Sequence, residues 1–264
     1  MENNLKKRKV DICLCGKNCA HVLSNALDTI RKMMATIDCN VILVDGRSAD
    51  KTPQIMVDFR QEDTSKVLVL QTEENDTYID AYNLALNNTV SEYIAWLDAD
   101  DICDENRLKI QADYLDEHED VDVVTSSVYL PNKQMIANTL IDFDDEQMTN
   151  LLQSNQLHMF EMCHFQSAMF RRFCLKKFKN NKYFFDEYVG GRGGEGFLYM
   201  LHFLGYKFAN ITNTYYVYTM FMNPISLSNN IDPLFAKSID EMSYGERQKA
   251  LMKIFRKNNK KVKE

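Results

Sequence analysis

The chain is poor in the two residues that punctuate loops. Its 264 residues include 9 Gly and 4 Pro, which excludes a collagen-like repeat or a Pro-rich linker protein. It also lacks an excess of positive charge. Lys+Arg number 31 against 38 Asp+Glu, a formal net charge of −7. Nucleic-acid binders are more often basic overall, so no nucleic-acid partner is expected. Nowhere do 18 apolar residues run together, so no membrane-spanning helix is expected. The basic opening (Lys6, Lys7, Arg8, Lys9) leads into no apolar run, because Asp11, Lys17 and Asn18 interrupt it. No secretory signal is read there. The Cys residues, at 13, 15, 19, 39, 103, 163 and 174, form no C-x-x-C pair. That argues against a structural zinc site and for small hydrophobes in a reducing, cytoplasmic compartment. Neither a P-loop nor a G-x-G-x-x-G fingerprint follows any apolar run.

What is present is ordinary globular composition, 45% hydrophobic and 26% charged, with strand and helix patterns alternating through the first half. Val10–Leu14 reads as a strand, and Val22, Leu23, Ala26, Leu27, Ile30 and Met34 recur at helical spacing. Val41–Val44 is a short apolar strand ending in Asp45-Gly46. Thr52-Pro53 opens a helix, with Pro near its first turn. Lys66–Leu70 is a third strand, Thr77–Leu86 a third helix and Tyr93–Leu97 a fourth strand. Asp104 is an N-cap candidate for a helix through Tyr114, and Val121–Tyr129 is a fifth strand. Continuous apolar strands joined by crossover helices predict a doubly wound, mostly parallel α/β sheet. Ligands in such sheets bind beyond the carboxyl ends of the strands. That rule gathers Cys15–Asn18, Asp45–Asp50 and Asp98–Asp101 at one crevice. In the second half, Asp144 with Gln147 reads as a capping box. A glycine-rich stretch around Arg192 precedes a helical pattern from Phe197 to Leu204.

Asp98, Asp100, Asp101, Asp104 and Glu105 follow the fourth strand, and no basic residue appears before Arg107. Like charges this close raise one another's pKa and destabilise a fold. A divalent cation removes the conflict, and Mg²⁺ commonly takes one or two carboxylates plus substrate phosphates. In extended backbone Asp98 and Asp100 face one side. The alternative is an acidic loop capping the next helix. Asp45 suits a base N–H or ribose hydroxyl, or turn chemistry with Gly46. Asp80 and Asn83 lie one helical turn apart, placed either to touch a nucleoside or to cap backbone.

Four segments, in order, resemble family 2 glycosyltransferases of the GT-A fold: VDICLCGKN (10–18), VDGRSADKT (44–52), IDAYN (79–83) and SEYIAWLDADD (91–101). Later, HFQSAMFRR (164–172), Phe185-Asp186-Glu187 and Gly194-Glu195-Gly196 are similar more loosely. The resemblance implies one GT-A domain over 1–264, with a nucleotide-sugar half at about 8–130. An acceptor half at about 131–235 and a basic C-terminal helix or tail at about 236–264 would follow. It implies that Cys15, Gly16, Asn18, Asp45, Asp80, Asp98 and Ala99 bind the nucleotide sugar and that Asp100 binds the metal, Mn²⁺ or Mg²⁺. Glu195 would be the catalytic base of an inverting transfer. UDP-sugar is the implied donor, and a hydroxyl of a glycan or lipid-linked species the acceptor, in polysaccharide or glycoconjugate synthesis.

Arg192, beside Glu195, would fold over the diphosphate or stay a solvent-exposed loop charge. His164 would touch acceptor or be structural. Trp96 and the aromatic segment 215–221 read as core. The chain departs from the family pattern at Gly196, where a second acid is usual, and at 218–228, which supplies neither Arg nor His. The first departure motivates a second reading, a catalytically weak nucleotide-sugar binder. A third, a nucleotidyltransferase, needs a Gly-rich basic loop after the first strand, of which Cys15-Gly16-Lys17-Asn18 is a poor version. At the C-terminus, Leu251, Met252, Ile254 and Phe255 among many Lys/Arg make an amphipathic helix. It would rest on an anionic membrane face or simply be a solvated end.

Overall fold

In a computed structural model, residues 5–74, 76–130, 135–137, 142–156, 162–184, 193–217 and 243–258 are described. β1 (Val10–Gly16), β2 (Cys39–Asp45), β3 (Val67–Gln71) and β4 (Tyr93–Trp96) pair in parallel in the order β3-β2-β1-β4. The crossovers are α1 (Leu23–Thr36), α2 (Thr52–Glu62) and α3 (Tyr78–Asn87), as the alternating pattern predicts. Beyond β4 come β5 (Ile102–Cys103), α4 (Arg107–Glu117), β6 (Val123–Leu130), β7 (Met135–Ala137), α5 (Asp145–Gln153), β8 (Met169–Arg171), α6 (Gly193–Phe203), β9 (Phe208–Val217) and α7 (Tyr244–Asn258). They extend the sheet to β3-β2-β1-β4-β8-β6-β9-β5, with β7 on β6. β8 runs antiparallel to both β4 and β6, and β6 and β9 are parallel. One sheet therefore runs through both halves of the sequence.

Period-two alternation sorts the strands onto two cores. Ile12, Leu14, Leu43, Ala95 and Leu97 pack with Leu27 and Ile30 of α1, Phe59 of α2 and Leu108 and Leu115 of α4. Cys13, Ile42, Val44, Ile94 and Trp96 pack on the other face with Ile79 of α3, Leu152 of α5, Phe197 of α6 and Leu251 of α7. Both faces are covered, so these strands read as unbroken apolar runs.

A buried polar knot locks the register at the amino end of the strands. The Asp11 carboxylate, fully buried, accepts hydrogen bonds from Val90 N, Ser91 N, Ser91 Oγ and Asn40 Nδ2 at 2.5–2.8 Å. With β1, β2 and β4 tied there, their carboxyl ends emerge side by side at the opposite edge. All seven cysteines are free thiols, five of them buried, in keeping with their reading as small hydrophobes. Among the described residues no helix is long and apolar enough to cross a membrane.

Two local expectations are corrected. Helix α4 starts at Arg107, with Asn106 at the N-cap position and no side-chain capping bond. Asp104 instead turns the chain two residues earlier, accepting Asn106 N on its carboxylate at 2.7 Å and Arg107 N on its carbonyl at 3.1 Å. Helix α6 starts at Gly193, four residues before the periodic apolar pattern. Between His164 and Arg172 lie a 3₁₀ turn (Phe165–Ser167) and β8. The capping box of α5 is present, with Gln147 N donating to Asp144 Oδ1 at 2.9 Å.

Candidate active site

At the carboxyl edge the loops after β1 and β2 are laced together. Gly46 N donates to Gly16 O at 2.8 Å. Asn18 N donates to Ser48 Oγ, and Ala49 N returns a bond to Asn18 Oδ1, each at 2.8 Å. Cys19 N bonds Thr52 Oγ1 at 2.9 Å, and Ala20 N bonds Asp50 Oδ2 at 3.1 Å. Asn18 itself is left-handed (φ 53°), a conformation that Asn tolerates better than most residues. The β4 loop closes against this pair. A Cβ on Gly16 would lie 2.6 Å from Cys19 Sγ and 3.1 Å from Ala99 Cβ. A side chain at residue 16 would strike Cys19 Sγ first and crowd Ala99, which lies between the two acids.

Three carboxylates lead that loop. Ligand oxygens of Asp98, Asp100 and Asp101 lie within 4.8 Å of one another. Asp98 and Asp100 keep partial exposure, while Asp101 is fully buried. Burial, and secondarily the charge of Asp100, push the Asp98 carboxyl up to about 7, and the hydrogen bond from Gln166 Nε2 (2.8 Å) offsets this only in part. Hard oxygen donors this close, in an environment that resists their charge, fit a divalent cation such as Mg²⁺ or Mn²⁺.

The turn is supported from beneath by residues that the sequence reading leaves in the core or passes over. Tyr216, on β9 and fully buried, accepts Asp98 N–H at 3.1 Å and donates its hydroxyl to Asp101 Oδ2 at 2.8 Å. Arg107, also fully buried, lies 5.4 Å from the Tyr216 ring centroid. Its guanidinium donates to Trp96 O (2.8 Å) and Gln166 O (2.9 Å). The one available signal was that Arg107 is the first base after five acids. Nothing in the local sequence separates Tyr216 from its aromatic neighbours.

Glu195 stands in the first turn of α6, half-buried. That turn is wedged in by two glycines. A Cβ on Gly193 would come within 2.9 Å of Ile79 Cδ1, and one on Gly194 within 2.4 Å of the Phe165 ring. Phe165 adjoins Gln166, which bonds Asp98, so the helix start abuts the residues that hold the acidic turn.

Several candidate side chains are engaged within the protein. Asp45 is buried, with its carboxylate accepting Ser48 N and Gln71 Nε2; this includes the turn role the sequence allows. Asp80 Oδ2 accepts Thr77 N and Oγ1, completing the capping box of α3. Asn83 bonds Tyr183 N, Phe184 N and Phe184 O. Cys15 is half-buried at the end of β1, and burial holds its thiol well above the usual range. His164 is 4% exposed, stacked near Tyr216, and burial depresses it to about 4. It lies beneath the acidic turn, against the Tyr216 ring. Trp96 is core, as expected. Arg192, Phe185-Asp186-Glu187 and 218–228 lie outside the described residues.

Known proteins share this framework. An uncharacterized glycosyltransferase of Methanocaldococcus jannaschii is 31% identical over 107 residues, spanning 40% of this chain and 36% of that protein. The matched region is thus about a third of the relative's length. The crystal structure of a Staphylococcus aureus TarS fragment (1–349) superposes with a TM-score of 0.64 at 20% identity, covering 97% of this chain and 75% of that one. A mannosyltransferase from Pyrobaculum calidifontis, solved with GDP-Man and Mn²⁺, has a TM-score of 0.58 at 18% identity, covering 81% and 57%. The fold is therefore the GT-A glycosyltransferase fold. The sequence profile described as "Glycosyl transferase family 2" matches residues 11–178. That span takes in the laced loops, the acidic turn and Gln166 beneath it, and with more than half of its length so matched the chain belongs to glycosyl transferase family 2.

Proposed function

We propose that the protein transfers a sugar from a nucleotide-diphosphate sugar, UDP-sugar first among donors, to a hydroxyl of a polysaccharide or glycoconjugate acceptor. The observation that carries this reading is the trio of carboxylates packed within 4.8 Å at the carboxyl edge of a family 2 fold. The loops formed by Cys15, Gly16, Asn18 and Asp45 would frame the nucleoside. Ala99, which packs close to Gly16, would sit between that frame and the acids, and Asp80 would act by fixing the start of α3. Asp98 would face the ribose and the cation, and Asp100 would hold the cation. When bound, Mn²⁺ or Mg²⁺ supplies charge neutralisation for the leaving diphosphate. Support comes from the TarS fragment solved with UDP-GlcNAc and the mannosyltransferase solved with GDP-Man and Mn²⁺.

The chain's own chemistry is then short. Glu195 takes the proton of the acceptor O–H on a carboxylate oxygen. The acceptor oxygen bonds the anomeric carbon as the bond to the phosphate oxygen breaks, and the nucleoside diphosphate leaves with that electron pair. One displacement from the face opposite the leaving group inverts the anomeric centre. A positioned general base contributes roughly 10²–10⁴-fold. Glu195→Gln is therefore expected to bind UDP and lose turnover by about that factor, measured as UDP release with Mn²⁺. Gly196, in place of a second acid, favours the alternative of a nucleotide-sugar binder without efficient transfer. Tight UDP-sugar binding by the wild type with no turnover on any acceptor panel would establish that alternative. Release of pyrophosphate instead of UDP would point to nucleotidyl transfer.

A further inference from the structure

We infer that Tyr216 is a positioning residue for the acidic turn, and that it sorts the three acids into two that present to a ligand, Asp98 and Asp100, and one that anchors, Asp101. The inference rests on the cation reading of the turn proposed above. The Tyr216 hydroxyl is used in both directions at once. It accepts the backbone N–H of Asp98 at 3.1 Å and donates to Asp101 Oδ2 at 2.8 Å. It therefore clasps the first and last acids of a turn that Asp101 N also closes onto Asp98 O at 3.2 Å. Asp101 is fully buried, whereas Asp98 and Asp100 keep partial exposure. That division follows from where the phenol pulls: a carboxylate held inward by a buried donor is withdrawn from the mouth.

The ring has little freedom to wander. Arg107 lies 5.4 Å from its centroid and is itself fixed by two carbonyls, Trp96 O and Gln166 O. The His164 ring stacks 6.3 Å away. Gln166, whose carbonyl Arg107 holds, places its amide on Asp98 Oδ2 at 2.8 Å. Tyr216 thus reaches the Asp98 backbone and Asp101, while the Arg107–Gln166 arm reaches the Asp98 side chain. Groups that orient ligating carboxylates commonly change metal affinity tenfold or more when removed.

The test is direct Mn²⁺ binding to the full chain in the presence of UDP, read as free Mn²⁺ by electron paramagnetic resonance, with no turnover required. Tyr216→Phe removes one oxygen and keeps the ring; it is expected to weaken Mn²⁺ about tenfold. Tyr93→Phe is the control. Tyr93 is another fully buried tyrosine, and its hydroxyl donates to Asp116 at 2.6 Å away from the acidic turn. Its Mn²⁺ affinity should stay within about twofold of the wild type. Equal Mn²⁺ affinity of Tyr216→Phe and wild type overturns the inference. Equal weakening by both tyrosine substitutions also overturns it, since a generic packing loss would then suffice. If Tyr216→Phe does not fold, Asp101→Asn carries the test, because an amide carbonyl accepts the same hydroxyl. Affinity within a few-fold of wild type supports the anchoring role, and loss of binding makes Asp101 a ligand and overturns it. A wild type that binds no Mn²⁺ with UDP removes the cation reading itself, and this inference falls with it.

Discussion

Gly194 carries the tightest contact at the site. A methyl group there would sit 2.4 Å from the Phe165 ring, a separation that only displacement of α6 or of the aromatic cluster can relieve. Overpacking of this kind costs about 1–3 kcal/mol. Gly194→Ala should lower the melting temperature by several degrees and reduce transfer more than stability alone explains, because Glu195 is the next residue. Thermal melts alongside initial rates check this, and an unchanged rate would separate Glu195 from the reaction. His164 makes a second residue-scale prediction. Burial depresses its folded-state value to about 4, below the ordinary 6.5, so the unfolded chain binds the extra proton. Its contribution to stability is then complete above about pH 6.5 and is lost as pH falls toward 4, on the order of 3 kcal/mol. Tyr216 stacks beside it, with Arg107 behind the Tyr216 ring. His164→Phe should flatten the difference in unfolding free energy between pH 7 and pH 4.5, measured by denaturant titration. The acids after β4 were legible as residues because so many like charges at one strand end are unusual, whereas Gly16 and Glu195 were read only through the family resemblance. The need for glycine at 194 was not legible, since the ring it would strike belongs to Phe165, far back in the chain.

At the scale of elements, α3 has two anchors that a sequence can only name as alternatives. Asp80 completes the helix cap, and Asn83 ties the helix to the Tyr183-Phe184 backbone through three hydrogen bonds. Removing Asn83 leaves buried backbone groups without their partner, at roughly 1–3 kcal/mol. Removing the Asp80 cap is expected to cost about 1 kcal/mol. Asn83→Ala should therefore be the more destabilising of the two by chemical denaturation. The reverse order would mean that the 183–184 segment finds its bonds elsewhere. Periodicity located most helices because 3.6-residue apolar spacing survives in α1, α3 and α7. It misplaced the start of α6 because Gly193 and Gly194 are poor helix formers by propensity. They are required there by the close approach of Ile79 and Phe165, and tertiary packing prevails.

For the whole molecule, the amphipathic C-terminus divides its two sides between different neighbours. Leu251 is buried, and Met252, Ile254 and Phe255 pack against the core. Phe255 meets the Phe178 ring edge-on at 5.4 Å, and the Arg247 guanidinium bonds Tyr199 Oη from a buried position. The apolar side faces the fold, though only Leu251 is fully covered, and Lys249, Lys253, Arg256 and Lys257 are exposed. We propose that any membrane contact is electrostatic, at about 1 kcal/mol per basic residue near an anionic surface. Flotation with vesicles containing phosphatidylserine should show binding that disappears at high salt and on Lys249→Glu/Lys253→Glu. Salt-resistant binding would point instead to insertion of the partly exposed Met252, Ile254 and Phe255. Ligand binding is also a property of the whole fold. A ligand present at 100 times its Kd adds about 2.7 kcal/mol to apparent stability. UDP with Mn²⁺ should therefore raise the melting temperature by about 5–10 °C, and by less with either alone.

The sequence by itself determined the alternating strands and helices from β1 to α4, the two-faced packing of those strands and the edge at which the acids lie. Those follow from local periodicity and from the handedness of parallel crossovers, both of which act between near neighbours along the chain. Tertiary structure alone decided that β8 would enter antiparallel between β4 and β6, that Ala99 would fill the space over Gly16, and that Tyr216 and Arg107 would come to lie under the acidic turn. Residues more than a hundred positions apart meet there, as Asp101 and Tyr216 do. Such contacts arise from how two packed layers close on one another, and no spacing within either segment encodes them.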